Sequence, residues 1–193
     1  MADVAALVLA AGRSSRAGGS KLLAMLDGKP LLRHAVDAAL ASRAASVTVV
    51  TGHAADAVAA ALAGSGARLV HNPRFAEGLS TSLATGIGAI DADGALVVLA
   101  DMPRVTAATI DRLIAAFEAG AEIVVPTNGG RRGNPVLWHR RYFGELATLS
   151  GDTGARALIE RHAASATFIE IGPEVALDLD TPEDIAAAGG LFP

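Results

Sequence analysis

Apolar residues along this chain fall into short blocks separated by longer stretches with a slower rhythm. The blocks are Val4 to Ala11, Ser46 to Thr51, Ala67 to Val70, Ala95 to Ala100 and Glu122 to Pro126, each closed by polar or turn residues. Blocks this short and rich in Val, Leu and Ala predict buried strands. The stretches between them are Ala-rich and amphipathic. In "PLLRHAVDAALASRA", from Pro30, a proline opens a segment whose apolar residues recur at spacings of three and four, the helical period. In "TAATIDRLIAAFEAG", Thr106 is placed to cap a helix and Gly120 to stop it. This alternation of strand and helix predicts an α/β fold. The expectation is a single-domain, Rossmann-like three-layer structure over residues 1–193, its mostly parallel sheet covered by helices on both faces. Ligands of such sheets bind outside the carboxyl ends of the strands, so the loops that follow strands are where chemistry is expected.

The rhythm changes after Pro126. In "TNGGRRGNPVLWHRRYFGEL", a Gly-Gly pair between extended residues predicts a hairpin or an inserted antiparallel strand. In "DLDTPEDIAAAGG", Asp178, Leu179 and Asp180 are expected to end a short strand. Thr181, Pro182, Glu183 and Asp184 then carry the cap, first-turn proline and early acids of a helix.

Composition narrows the function. A hydrophobic content of 51% in 193 residues supports one sizeable core, and 4% aromatics leaves that core to small and branched side chains. With no cysteine there is no disulfide framework, thiolate metal site or cysteine nucleophile, so any metal must take oxygen or imidazole ligands. A net charge of -4 without a basic tract argues against a nucleic-acid partner. No apolar run has the length of a membrane span and no basic leader precedes the first strand, so a cytoplasmic location is expected.

The loop after the first strand, within "VLAAGRSSRAGGSKLL", joins Gly12 to Arg13, Arg16 and Lys21. Glycines permit close backbone approach and successive N–H groups make an anion-binding concavity, so the loop is suited to phosphate; it is also suited to a solvated turn. Ser20 separates Gly19 from Lys21, which departs from the P-loop spacing, and no Gly-x-Gly-x-x-Gly is present for a dinucleotide. Asp101, in "ALVVLADMP", follows a strand directly, as a metal ligand at the sheet edge or as a turn cap. Asp178 and Asp180 share a face by alternation, and Asp180 also fits a cap for the last helix. Together these residues favour Mg²⁺-assisted nucleotidyl transfer over hydrolysis, with basic side chains stabilising a triphosphate.

Six segments taken in order, "LAAGRSSRAGGSKLL", "HNPRFAEGLSTSL", "VVLADMPRVT", "RGNPVLW", "GDTGARALI" and "LDLDTPED", resemble the MobA-like nucleotidyltransferases, most nearly the branch that cytidylylates molybdenum cofactor. The resemblance implies a Rossmann-like fold and transfer of CMP from CTP to the terminal phosphate of Mo-molybdopterin, with release of pyrophosphate. It implies that Ala10, Ala11 and Gly12 line the nucleotide, with catalytic Arg16 and Lys21 on its phosphates. It implies that Gly78, Leu79, Ser80 and Ser82 lie near the nucleotide or the acceptor. Asp101 is implied as the principal Mg²⁺ ligand and Asp180 as a second. Asn134, Pro135 and Arg156 are implied on the acceptor side, although many relatives have His where this chain has Asn134. Ala11 stands where the guanylyl branch has Gly, which favours CTP over GTP. A molybdoenzyme or its maturation factor is the implied protein partner.

Two other functions stay open on sequence: a carrier that binds and delivers finished cofactor, and transfer to a different acceptor such as a sugar phosphate, or from GTP. The five histidines, His34, His53, His71, His139 and His162, lack metal-binding spacing and are expected to be structural or on the surface. Trp138 and Tyr142 are expected in packing roles, with stacking on a base or pterin as the alternative. Arg131, Arg132, Arg140 and Arg141 are read as solvated faces or a second anion site.

Overall fold

The computed structural model describes residues 2–12, 21–151, 155–179 and 181–191. In chain order the elements are β1 (Val4–Ala10), β2 (Met25–Leu26), β3 (Lys29–Pro30), α1 (Leu31–Leu40), β4 (Ser46–Thr51), α2 (Ala55–Ala61), β5 (Arg68–His71), α3 (Leu79–Ile87), β6 (Gly94–Leu99) and α4 (Ala107–Glu118). They continue with β7 (Ile123–Asn128), β8 (Arg131–Arg132), β9 (Val136–His139), α5 (Phe143–Ala147), α6 (Arg156–Arg161), β10 (Ala166–Glu170) and α7 (Pro182–Ala187), with short 3₁₀ turns between.

The main sheet runs β10-β7-β9-β6-β1-β4-β5, with β8 folded back on β7. Pairs β1–β4, β1–β6, β4–β5 and β7–β10 are parallel. Only β9, antiparallel to both β6 and β7, and β8 run the other way. The β7–β8 turn places Gly129 and Gly130 at φ of 55° and 78°, the left-handed pair that a tight hairpin requires. Both readings of the "NGG" region therefore hold, a hairpin followed by an inserted antiparallel strand.

β1 is buried along its whole length, with both faces covered. Its even positions, Val4, Ala6 and Val8, pack with Leu32 and Val36 of α1, Val58 of α2 and Ile110, Leu113 and Phe117 of α4. Its odd positions, Leu7 and Leu9, pack with Leu83 and Ile87 of α3, Leu146 of α5 and Leu158 of α6. This is the three-layer arrangement that strands apolar on both faces demand. Trp138 is fully buried in the second layer, with Tyr142 edge-on to it, in the packing roles expected. A smaller cluster of Ala24, Leu26, Leu31, Leu179 and Ile185 fastens α7 to the β2–β3 ribbon.

Helix ends follow the local chemistry. Thr106 accepts the Thr109 N–H at the start of α4, and Gly120 follows its last turn at a φ of 104°. Thr181 and Asp184 form a reciprocal capping box on α7, with Pro182 in the first turn. One expectation fails: residues 177–179 form no strand. Leu179 donates a single backbone hydrogen bond, to the Asp101 carbonyl at 3.1 Å, and its side chain is held in the cluster with Ile185, so no ladder develops.

Candidate functional site at the carboxyl edge of the sheet

The chain winds outward from β1 to β4 and β5, then returns to place β6 on the other side of β1. Loops leaving β1 and β6 therefore part in opposite directions, and a crevice opens between them at the carboxyl edge. A cavity of about 550 Å³ occupies that crevice. Ala11, Gly12, Lys21 and Leu22 line it from the first loop, Leu99 and Asp101 from the end of β6, and Asp178 from the segment before α7. Phe75, Gly78, Leu79 and Ser82 close the remaining side.

Inside it, Lys21 Nζ lies 2.7 Å from Asp101 Oδ2, both side chains largely withdrawn from solvent at 14% and 18% exposure. Asp101 Oδ1 is buried and has no hydrogen-bond partner among the described residues. Leaving a buried carboxylate oxygen unsatisfied is costly, of order 1–3 kcal/mol. In a native site such an oxygen marks a place for an ion or water. Asp101 is held there by its own backbone, since the Leu179 N–H binds its carbonyl and Ala100 N–H binds the Leu9 carbonyl. The same bond brings the exposed Asp178 to the cavity wall.

The donor set fits a hard divalent cation. Asp101 and Asp178 put two carboxylates on the lining, one with an unused oxygen, the kind of donor that a hard divalent cation takes. Among the described residues no three His, Cys, Asp or Glu side chains come together in a group that could hold a metal ion.

A second cavity of about 290 Å³ shares Leu9, Leu79 and Leu99 with the first and extends along the same edge. Arg132, Gly133, Asn134, Trp138 and Arg156 line it. Asn134 is brought to this edge because β9 runs backwards, so the loop entering β9 lies beside the loops leaving β6 and β7. Arg132 Nη2 donates to Glu160 Oε1 at 2.8 Å, and this bond, with the charges of Arg132 and Arg156, holds the Glu160 carboxyl below its ordinary range. A third hollow of about 330 Å³, lined by Asn128, Arg131, Arg132 and Asn134, meets the first cavity at Asp178. Glu170 braces the hairpin carrying these arginines. It accepts from the Thr127 hydroxyl and the Gly129 N–H at 2.6 Å each, and these bonds lower its pKa.

Most of the sequence candidates thus converge. Ala11, Gly12, Lys21, Gly78, Leu79, Ser82 and Asp101 share the first cavity, and Asn134 and Arg156 share the second. Ala10 ends β1 with its side chain buried, and Pro135 is buried behind Asn134. Ser80 is turned inward, its N–H on the Gly151 carbonyl, and lines neither cavity. Arg16 and Asp180 lie outside the described residues. No histidine lines the three cavities; four make side-chain hydrogen bonds, such as His34 to the Leu26 carbonyl and His162 to Glu145, and His53 packs edge-on to Phe75. Sequence reasoning passed over Asn72, buried beneath the Gly78–Ser82 wall, because a lone polar residue after a strand carries no distinguishing pattern.

Comparisons with known proteins identify the family. The molybdenum cofactor cytidylyltransferase of Escherichia coli (strain K12) is 26% identical over 189 residues, covering 97% of this chain and 96% of the relative. The bifunctional protein GlmU of Agrobacterium fabrum is 33% identical over 138 residues, covering 65% of this chain and 30% of that longer protein. Among solved structures, Rv0371c of Mycobacterium tuberculosis H37Rv superposes with a TM-score of 0.87 at 31% identity, covering 96% and 97% of the two chains. That protein has also been solved as a complex with manganese. The MobA-like NTP transferase domain matches residues 6–166, and the chain is a member of that nucleotidyltransferase family.

Proposed function

We propose that the chain, as one domain, transfers CMP from CTP to the terminal phosphate of Mo-molybdopterin, with Mg²⁺ as the metal and pyrophosphate as the leaving group. The observation that carries this reading is the Lys21–Asp101 pair on the wall of the crevice between β1 and β6. An ammonium and a carboxylate with an unused oxygen are the two groups that a metal-bound triphosphate needs side by side.

In this reading Asp101 and Asp180 hold the metal, Asp178 adds negative charge on the same wall, and the bound ion supplies charge neutralisation across the phosphates. Lys21 leaves Asp101 to bind the triphosphate, so one ion pair is exchanged for two. Arg16 shares the phosphate charge. The space in front of Gly12 is open for 4 Å among the described residues, room for a phosphate to approach its backbone. Asn134 and Arg156 hold the acceptor phosphate in the adjoining cavity, and pyrophosphate leaves on the Lys21 side. Attack is direct, because no nucleophilic side chain is needed when two bound phosphates are positioned. Ala11, which lines the cavity at 3% exposure, stands where the guanylyl branch has Gly, and this favours CTP. The 26% identical Escherichia coli relative supports the choice of acceptor.

Pyrophosphate release measured with CTP, GTP and ATP, with and without Mo-molybdopterin, tests the proposal. Release with CTP only when Mo-molybdopterin is present is expected. Release that needs a sugar phosphate reassigns the acceptor, an outcome the GlmU similarity makes worth including. No release with any triphosphate, together with tight binding of finished cofactor, makes the chain a carrier.

A further inference from the structure

Behind the wall formed by Gly78, Leu79 and Ser82 lies a side chain that the proposed chemistry does not use. Asn72, the residue after β5, is fully buried, and its backbone N–H donates to the Thr51 carbonyl at 2.8 Å. Its Oδ1 accepts the Arg74 N–H at 2.9 Å, while Nδ2 donates to Thr81 Oγ1 at 2.9 Å and to Ser82 Oγ at 3.1 Å. The orientation of this amide is forced. A backbone N–H only donates, so the atom facing Arg74 is the oxygen and the atom facing the two hydroxyls is the NH₂ group.

Both amide protons are then committed, and both hydroxyls are obliged to accept. Thr81 Oγ1 passes its own proton to the Arg74 or the Gly78 carbonyl, each 2.9 Å away. Ser82 has no such outlet. Its oxygen receives the Asn72 proton, no hydrogen bond from its own proton forms within the described chain, and the side chain lines the nucleotide cavity.

We infer that Asn72 fixes the Ser82 hydroxyl as a hydrogen-bond donor into the cavity, making this position select a nucleotide atom that accepts. The inference rests on the nucleotide reading of the cavity and adds to it a polarity and a positioning residue. Cytosine suits such a donor, because its ring nitrogen N3 and carbonyl O2 are adjacent acceptors. Asn72→Asp reverses the polarity with little change of shape. The carboxylate still accepts from Arg74 and now draws the Ser82 proton inward, presenting an oxygen lone pair to the ligand.

CTP binding to the whole chain, measured calorimetrically without acceptor, tests this in wild type, S82A, N72D and the double variant, with a melting curve for each. S82A is expected to weaken CTP about tenfold, the effect of one neutral hydrogen bond. N72D is expected to weaken it at least as much, and the double variant to be no weaker than N72D. Wild-type affinity in S82A overturns the inference, as does full additivity of the two losses, which marks Asn72 as a packing element. Should N72D lose its cooperative melt, S82T decides: it keeps the donor and is expected to bind like wild type, and equal weakening by S82T and S82A overturns the inference. No CTP binding by the wild-type chain overturns the nucleotide reading with it.

Discussion

Replacing Asp101 by alanine separates the chemistry of the crevice from its stability. Two opposing contributions disappear together. The contact with Lys21 at 2.7 Å is a charge-assisted hydrogen bond, worth about 1.5–3 kcal/mol net. The buried Oδ1 without a partner costs about 1–3 kcal/mol, and the substitution relieves it. The difference leaves the folded state changed by no more than about 2 kcal/mol, which for a chain of this size is a melting shift of roughly 4–8 °C or less. Catalysis has no such compensation, because on the proposed reading the ion loses its principal protein ligand. CTP-dependent pyrophosphate release is expected to fall by at least about a hundredfold. Parallel thermal melts and pyrophosphate assays read the two quantities. Near-normal release by Asp101→Ala refutes the metal assignment, and loss of a cooperative melt refutes the claim that the cost of the unpartnered Oδ1 offsets the Lys21 contact.

Lys21→Met removes the charge, so KM for the triphosphate is expected to rise in steady-state assays, and the melt is expected to drop, because the largely buried Asp101 loses its partner at 2.7 Å. Gly133→Ala forces a methyl against the backbone carbonyl of Val175, on the wall shared by the two acceptor-side cavities; melting and acceptor-dependent turnover are both expected to drop. For Glu170, hydrogen bonds from Thr127, Gly129 and Gly130 lower the pKa, so its stabilising contribution is present above the ordinary glutamate range and is lost as pH falls through the lowered value. Glu170→Gln is therefore expected to flatten the acid limb of a stability-against-pH curve below that range, with less difference from wild type under strongly acid conditions.

Four of the repeating strands, β1, β4, β6 and β7, were legible because they are largely buried and read as apolar blocks, whereas β5, an exposed edge strand, was legible only through its short Leu69–Val70 core. The expected Ser46–Thr51 strand is the observed β4, and the others shift by a residue or two at their ends. α3 was not, since "LSTSLATGI" dilutes its apolar stripe with Ser, Thr and Gly that tuck against the sheet; a Cβ on Gly86 would sit 3.0 Å from a Val50 methyl. β10 was missed for the opposite reason: an edge strand with exposed Thr167 and Phe168 shows no apolar block. Asp101 was found because an acid straight after an apolar strand is conspicuous. Asp178 was noticed only as a partner in alternation, and its place on the wall depends on one backbone bond between segments 78 residues apart, beyond the reach of local pattern. Asn72 depends on three donors and acceptors from other turns, a relation that exists only after folding.

The reversed strand β9 also bears on how such a chain diversifies. A parallel strand delivers only its exit to the ligand edge, whereas β9 delivers its entrance, so Gly133 and Asn134 arrive there from a connection that shares no loop with Gly12, Lys21 or Asp101. The half of the crevice assigned to the triphosphate and the half assigned to the acceptor are therefore wired separately. Insertions or exchanges between β8 and β9 would re-cut the second half while leaving the first intact, so one transfer engine could be fitted with different acceptors by editing a single hairpin.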